Sequence, residues 1–187
     1  MGCLKALALQ VAVAPAPAIL VARVVSNMSS IVEIIIGSAS DKEKVSKTTE
    51  VLDQFGISYN YVIASAHRSP DFVIEKAKTA KNRGVKVIIA AAGAAAHLAG
   101  LIAAYTLLPV IGLPLSGNSL NGLDALLSTV QMPSGVPVAT VAIDGSSNAA
   151  FLALEILAVH NEEIYSKLIK YRENINESIK SLNNKDD

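Results

Sequence analysis

The feature that most constrains the fold is an alternation, from residue 31 onward, of short apolar runs with amphipathic segments. Five runs rich in valine, isoleucine and leucine predict buried strands at 31–37, 57–64, 85–93, 109–115 and 137–143. Apolar residues at helical spacing predict helices at 41–56, 70–84, 95–107, 121–130, 147–160 and 161–182. Because parallel strands need crossover connections, this order predicts an α/β fold with a parallel sheet and helices on both faces.

Two of the predicted helices differ from the others in composition. The segment 95–107 is apolar nearly all round, which predicts that it is buried on most of its sides. The segment 161–182 is rich in charged residues, and we expect it to extend away from the body of the domain. Glycines at 56 and 84 each follow a predicted helix, as is typical of a helix C-terminus.

Composition excludes several classes of function. A chain of 187 residues fits one domain, and its formal net charge of zero offers no basic field that would attract nucleic acid. The single cysteine, Cys3, excludes an internal disulfide framework and a cysteine-based zinc site. It also favours a reducing compartment, so we expect the protein in the cytoplasm.

The first thirty residues differ from the rest because they contain no aspartate or glutamate. The first acidic residue of the chain is Glu33. Lys5 and the apolar stretch after it loosely resemble a secretory signal or a transit peptide, which would allow organelle targeting. Pro15 and Pro17 interrupt the stretch, so it does not predict a membrane-spanning helix. We interpret 1–30 as a leader or, because Met28 precedes the first strand, as a mis-set start. Residues 31–187 then form a single catalytic α/β domain with a C-terminal helical extension.

Polar residues follow the first predicted strand in the loop "GSASD", residues 37–41. Ligands of parallel sheets bind outside the carboxyl ends of the strands, so this loop is a candidate site. Hydroxyls of Ser38 and Ser40 with exposed amides at a helix N-terminus favour an anion site, and Asp41 could accept ribose hydroxyls. The alternative is a capping role, since Ser40 and Glu43 have the spacing of a capping box.

The loops after the second and third strands carry two histidines and an arginine. His67 and Arg68 precede Ser69 and Pro70, which suit the N-cap and first position of the next helix. Histidine exchanges a proton near neutral pH, and the planar guanidinium of arginine matches phosphate.

The third loop, 91–100, offers backbone amides among small residues, with His97 just inside the following helix. A half-buried structural role for His97 is the alternative, and His160 is expected to be structural. The sequence shows no metal-ligand pattern. Together the three loops indicate acid–base catalysis on a small phosphorylated substrate.

Five stretches of the chain resemble one family in order and at its spacing. They are "GSASD", "SAHRSPD", "AAGAAAHLAG", "GLDALLSTVQMPSGVPVATVAI" and "NAAFLALEIL", and the resemblance runs from about Ile31 to Arg172. They resemble the N5-carboxyaminoimidazole ribonucleotide mutase family of purine biosynthesis. The resemblance implies a flavodoxin-like three-layer sandwich with strand order 2-1-3-4-5, assembled as a homo-octamer. It implies no metal and no organic cofactor.

The resemblance also implies a reaction and the residues that perform it. N5-carboxyaminoimidazole ribonucleotide would be isomerised to 4-carboxy-5-aminoimidazole ribonucleotide, on the route to inosine monophosphate. His67 would be the acid–base residue that acts in decarboxylation and recarboxylation. The substrate-binding residues that the resemblance implies are Ser38, Ser40, Asp41, Arg68, Gly93, His97 and Leu98.

Two positions depart from the family pattern in the third loop. Ala95 and Ala99 stand where the family has a second glycine and a proline. An alanine where the backbone needs a positive φ would be strained, which affects the shape of the carbon dioxide pocket.

Three alternative functions stay open at this point. The protein could be an aminoimidazole ribonucleotide carboxylase that uses free carbon dioxide on the same fold. It could be a flavodoxin-like module that binds a nucleotide or flavin without turnover. It could also be a structural oligomer whose loops have lost their chemistry.

Overall fold

The computed structural model describes residues 31–117 and 120–183, so the interpretation of 1–30 lies outside the described residues. A five-stranded parallel sheet forms the centre, in the order β2-β1-β3-β4-β5. Its strands are β1 Val32–Ile36, β2 Tyr59–Ile63, β3 Val87–Gly93, β4 Val110–Leu115 and β5 Ala139–Thr140. The predicted α/β class and the strand order 2-1-3-4-5 are therefore confirmed.

Helices connect the strands and cover both faces of the sheet. They are α1 Ser46–Phe55, α2 Pro70–Thr79, α3 Leu98–Tyr105, α4 Leu123–Val130, α5 Ser146–Ala158 and α6 Glu162–Asn183. Short 3-10 turns occupy Ala39–Asp41 and Lys81–Arg83.

The alternation of side chains along β1 explains the three layers. Ile34 and Ile36 point to one face and pack with α1, α5 and the start of α6. Ile35 points to the other face and packs with α2 and α3. These side chains are fully buried, and each contributes about 1.5–3 kcal/mol to folding by leaving water. The sheet therefore presents its strand ends, rather than its faces, to solvent.

Several predicted boundaries differ from the structure for local reasons. The first predicted helix, 41–56, is a 3-10 turn followed by a helix that begins only at Ser46. It ends at Gly56, whose φ of 72° confirms the predicted glycine terminus. The fifth strand, predicted over 137–143, pairs regularly over two residues only, because it is an edge strand that soon turns at Asp144 (φ 54°).

The prediction that 95–107 is buried on most sides is wrong for the single chain. In α3 only Leu98, Ala99 and Ile102 are buried, and Tyr105 is 41% exposed. One face of the helix packs on the sheet and the other is open. The last helix leaves the body of the domain only in its second half, because Ile164 and Leu168 are buried while residues 172–183 are all exposed. In the described residues, no helix has both the length and the apolarity needed to cross a membrane.

Candidate active site

The carboxyl ends of β1, β2, β3 and β4 open into one cavity of about 570 Å³. The parallel topology brings loops that are far apart in sequence to this edge, because every strand ends there. The predicted site residues all line this cavity: Ser38, Ser40, Asp41, His67, Arg68, Gly93, His97 and Leu98. The structure therefore brings the predicted set together, while the chemical role of each residue stays a prediction.

The first loop is organised by Ser38, which caps the 3-10 turn. Its hydroxyl oxygen accepts hydrogen bonds from the Ser40 amide at 3.4 Å and from the Ser40 hydroxyl at 2.9 Å. The alternative that Ser40 caps the helix is wrong, because the turn begins one residue after Ser38. Both hydroxyls therefore lie at the cavity wall, close enough to contact one ligand together.

Asp41 lies in the same turn and is only partly withdrawn from solvent. Burial raises the pKa of its carboxyl above the usual value, while a hydrogen bond from the Ser38 backbone and the charge of Lys44 act in the opposite direction. Arg68 lowers the same pKa more weakly. Asp41 thus lies within the field of two cations, Lys44 and Arg68.

The two cavity histidines contact each other directly. His67 Nε2 lies 2.8 Å from His97 Nδ1, and their rings meet edge to face with centroids 4.9 Å apart. A hydrogen bond at this distance needs one proton between the two nitrogens, so one ring donates and the other accepts. Among the described residues, no hydrogen bond is seen to His67 Nδ1, on the opposite side of the ring from His97.

Within the described part of the chain, Arg68 is held by hydrogen bonds to loop residues and forms no salt bridge. Its Nη2 atom donates to the Gly37 carbonyl at 3.1 Å, and its Nε lies 3.4 Å from the Ser65 hydroxyl. The guanidinium has five N–H donors, so these contacts leave others for an anion. Pro70 begins α2 and Ser69 is its N-cap residue as predicted, but the Ser69 hydroxyl donates to the Ser65 carbonyl at 3.2 Å.

The third loop contains an alanine in the left-handed region, one residue before Ala95. Ala94 has a φ of 53°, whereas Ala95 is not among the residues with positive φ. The left-handed region costs an alanine about 1–2 kcal/mol relative to glycine. His97 is the N-cap residue of α3 rather than a residue inside it, and its amide donates to the Ala95 carbonyl at 2.8 Å.

Five further residues line the cavity that the sequence did not single out: Lys44, Ser65, Ala66, Ser116 and Gly117. The Lys44 ammonium donates to the Ser116 carbonyl and lies 3.3 Å from the Ser116 hydroxyl. Ser116 directly follows β4, so the rule that sites lie at strand ends could have found it. Lys44 gave no such signal, because it lies among charged residues typical of a solvated helix face.

Within the described residues, no group of three or more histidine, cysteine, aspartate or glutamate side chains is placed to hold a metal ion. The chemistry available to the cavity therefore consists of two histidines, two cations, one carboxylate, hydroxyls and backbone amides.

Comparisons with known proteins agree on one family. The family model described as AIR carboxylase matches residues 31–178. The N5-carboxyaminoimidazole ribonucleotide mutase of Pyrococcus abyssi is 55% identical over 144 residues, 77% of this chain and 83% of that protein. The mutase of Bacillus subtilis is 50% identical over 154 residues, 81% of this chain and 95% of that protein.

A relative with a different name and a solved structure complete the comparison. The phosphoribosylaminoimidazole carboxylase of Schizosaccharomyces pombe is 49% identical over 151 residues, 81% of this chain and 27% of that protein. The crystal structure of Treponema denticola PurE superposes with a TM-score of 0.73 at 31% identity, covering 80% of this chain and 94% of that one. The chain therefore belongs to the AIR carboxylase family, as the sequence motifs predicted.

Proposed function

We propose that the protein isomerises N5-carboxyaminoimidazole ribonucleotide to 4-carboxy-5-aminoimidazole ribonucleotide in purine biosynthesis. The observation that carries the proposal is the single cavity shared by His67, Arg68, Ser38 and the small residues beside Gly93. The names of the archaeal and bacterial relatives support the same reaction. The chain spans most of the length of both relatives, so the whole reaction is proposed for this domain alone.

The ribotide would bind through the first two loops. Arg68 offers a planar cation to the phosphate, and the Ser38 and Ser40 hydroxyls with nearby amides add hydrogen bonds. Asp41 accepts ribose hydroxyls from its place between the two cations. These contacts fix the imidazole ring next to His67. The reacting atoms are then already in position, which lowers the entropic part of the barrier.

The chemistry would proceed by loss and return of carbon dioxide. The bond between the exocyclic nitrogen and the carboxyl carbon breaks, carbon dioxide leaves, and the nitrogen accepts a proton. Ring carbon 4 then attacks the carbon dioxide, and the proton on that carbon is released. His67 donates the first proton and accepts the second, so it ends the cycle as it began.

The third loop would hold the carbon dioxide between the two steps. Gly93, Ala94 and Ala95 line the cavity near the histidine pair with little side-chain bulk. A neutral, apolar molecule fits such a wall, and His97 and Leu98 close it on the side of α3. Retention of the gas beside the ring replaces a bimolecular encounter, an effect that reaches many powers of ten in model reactions.

A carboxylase that takes free carbon dioxide is the second candidate, because the Schizosaccharomyces pombe relative carries that activity in its name. The test is to supply the purified protein with N5-carboxyaminoimidazole ribonucleotide, and separately with aminoimidazole ribonucleotide plus bicarbonate. We expect fast product formation from the first substrate in bicarbonate-free buffer. Product from the second mixture alone would assign the carboxylase instead.

The structure gives less support to a flavin module or to a purely structural role. Within the described residues, no phenylalanine, tyrosine or tryptophan lines the cavity to stack on a flavin ring. A structural role would not require His67 and His97 to meet inside the cavity. Incubation with flavin mononucleotide should therefore leave the protein colourless after gel filtration.

We further propose that the protein is a cytoplasmic homo-octamer. Apolar side chains are exposed on α4 at Leu123, Leu127 and Val130, which are 50%, 48% and 46% exposed in the single chain. Exposed apolar rows of this kind favour an interface between subunits. Light scattering on the eluted protein should give the mass of eight chains, and a monomer would contradict the proposal.

The role of residues 1–30 stays a prediction. The family match begins at residue 31, which supports a leader or a mis-set start upstream of the catalytic domain. Mass spectrometry of the protein isolated from its own cells would show whether these residues are retained. A chain that begins at Met28 would support the mis-set start.

A further inference from the structure

Lys44 is a cation of the cavity that the proposed reaction has not used. It lies one helical turn beyond Asp41, and its ammonium crosses to the loop after β4, where it donates to the Ser116 carbonyl. Its own backbone carbonyl accepts a hydrogen bond from the Ser146 hydroxyl at the start of α5. Lys44 is thus held at the cavity wall by contacts with two other parts of the fold.

The charge balance of the cavity depends on this residue. Among the fixed charges that line the cavity in the described chain, Lys44 and Arg68 are positive and Asp41 is negative. Without Lys44 the other two charges cancel. A phosphate monoester carries about −1.5 to −2 at neutral pH, so a neutral cavity would bind it weakly.

The contacts of Lys44 leave its charge available. Its two hydrogen bonds go to a neutral carbonyl and a neutral hydroxyl of the same residue, Ser116. Among the described residues, the salt bridges within 4.0 Å do not include Lys44. An ammonium has three N–H donors, so one remains for a ligand.

The location of Lys44 also selects which part of the ligand it would meet. Lys44 belongs to the side of the sheet where α1 packs on α5. The His67–His97 pair belongs to the side where α2 packs on α3, whereas the Arg68 guanidinium reaches from the same loop to the Gly37 carbonyl in the first loop. If the imidazole ring reacts next to the histidines, the carboxyl group of the ligand lies on their side of the cavity. The phosphate is at the opposite end of a ribotide from the imidazole ring, so it would lie on the side of Lys44.

We infer that Lys44 is a second cationic contact for the 5′-phosphate of the ribotide, in addition to Arg68. This inference rests on the proposed function for the identity of the ligand. The competing explanation is that Lys44 only ties the first loop to the fourth. The two differ in whether the positive charge matters, because a neutral side chain that can donate a hydrogen bond could also tie the loops.

The test compares binding of two ligands to the full chain by titration calorimetry. The ligands are aminoimidazole ribonucleotide and the corresponding riboside, which lacks the phosphate. Lys44→Gln removes the charge but keeps a hydrogen-bond donor, and Lys44→Arg keeps the charge. Lys47→Met is the matched control, since Lys47 is exposed on α1 and is not part of the cavity lining.

We expect Lys44→Gln to weaken ribotide binding about tenfold, as for loss of one charge-assisted hydrogen bond, and to leave riboside binding unchanged. Lys44→Arg and Lys47→Met should retain the preference for the ribotide. Equal weakening of both ligands, or no weakening of either, would overturn the phosphate contact. Thermal unfolding of each variant shows whether it is folded, and the neutral Lys44→Met repeats the comparison if Lys44→Gln is unstable.

The same experiment separates this inference from the proposed reaction. If the wild-type protein prefers the ribotide but does not turn over N5-carboxyaminoimidazole ribonucleotide, the reaction is wrong and the Lys44 contact stands. If the wild-type protein shows no preference for the phosphorylated ligand, the Lys44 contact is wrong whatever the turnover.

Discussion

His67 and His97 share a hydrogen bond of 2.8 Å between Nε2 of the first ring and Nδ1 of the second. The first histidine comes from the loop after β2 and the second from the N-terminus of α3, thirty residues later in the chain. This bond fixes the orientation of the His67 ring and directs its Nδ1 away from His97. A catalytic role for His67 therefore implies a positioning role for His97.

Replacement of His67 by asparagine should abolish turnover while it preserves ribotide binding. Asparagine keeps a polar side chain of similar reach but cannot exchange a proton near neutral pH. General acid–base catalysis typically contributes about 10²–10⁴-fold, so kcat should fall by at least the lower figure. Steady-state kinetics with calorimetric binding separates the two effects. A His67→Asn variant with wild-type kcat would remove this histidine from the mechanism.

Replacement of His97 should affect kcat more than KM, because it acts through His67. His97→Phe removes the hydrogen bond to His67, and we expect kcat to fall about tenfold. His97→Gln can restore a donor or acceptor at that position and should recover part of the loss. A rise in KM with unchanged kcat would instead place His97 in direct contact with the substrate ground state.

The sequence was enough to predict that the loops after β1, β2 and β3 meet. In a parallel sheet all strands end at the same edge, whatever their side chains are. Once β1, β2 and β3 were identified, the residues after Ile36, Ile63 and Gly93 had to share one edge. The contact between His67 and His97 was not predictable, because it depends on where α3 begins. A shift of one residue in that helix start would rotate the His97 ring by about 100°.

Errors in the sequence prediction occurred where a turn replaced regular structure. A capping box at Ser40 and Glu43 requires the helix to start there, and the 3-10 turn that begins at Ala39 takes its place. The positive φ occurs at Ala94, which the departures at Ala95 and Ala99 did not indicate, because spacing alone does not locate a left-handed residue within a run of alanines. Lys44 was missed because its partner, Ser116, is 72 residues away.

The raised pKa of Asp41 predicts a pH dependence of stability. Burial disfavours the carboxylate, so the folded protein binds this proton more readily than the unfolded chain does. The contribution of Asp41 to stability is thus present below its ordinary pKa of 3.8 and is lost as the pH rises through the folded value. Asp41→Asn removes this loss.

Urea unfolding measures the free energy of unfolding of Asp41→Asn and of wild type from pH 3.8 upward, through the raised pKa of the folded protein. We expect the variant to gain stability relative to wild type as the pH rises. A variant that loses relative stability over the same interval would show that the hydrogen bond from Ser38 and the charge of Lys44 outweigh burial. The same substitution should weaken ribotide binding, because an amide accepts hydrogen bonds less strongly than a carboxylate.

Away from the cavity, we expect the stability of the fold to be most sensitive to substitutions around the buried carboxylate of Glu33. Glu33 is fully buried in β1, and Arg83 donates to its Oε2 while Asn60 Nδ2 donates to Oε1 at 3.1 Å. Arg83→Met would leave a buried carboxylate with one hydrogen bond from an amide. Removal of one partner of a buried ion pair costs about 3–5 kcal/mol. The side chain of Arg83 is 31% exposed, so we expect the lower end of that range.

The exposed pair of Arg172 and Glu155 is the matched control for this prediction. Its side chains are 74% and 43% exposed, so Arg172→Met should cost less than about 1 kcal/mol in the free energy of unfolding. The double variant Glu33→Gln with Arg83→Met should recover much of the loss, because a neutral amide needs no cation beside it. The free energies of unfolding of the three variants, obtained from urea denaturation, test this prediction. Equal costs for Arg83→Met and Arg172→Met would mean that water replaces the guanidinium at Glu33, and that the carboxylate does not depend on its ion pair.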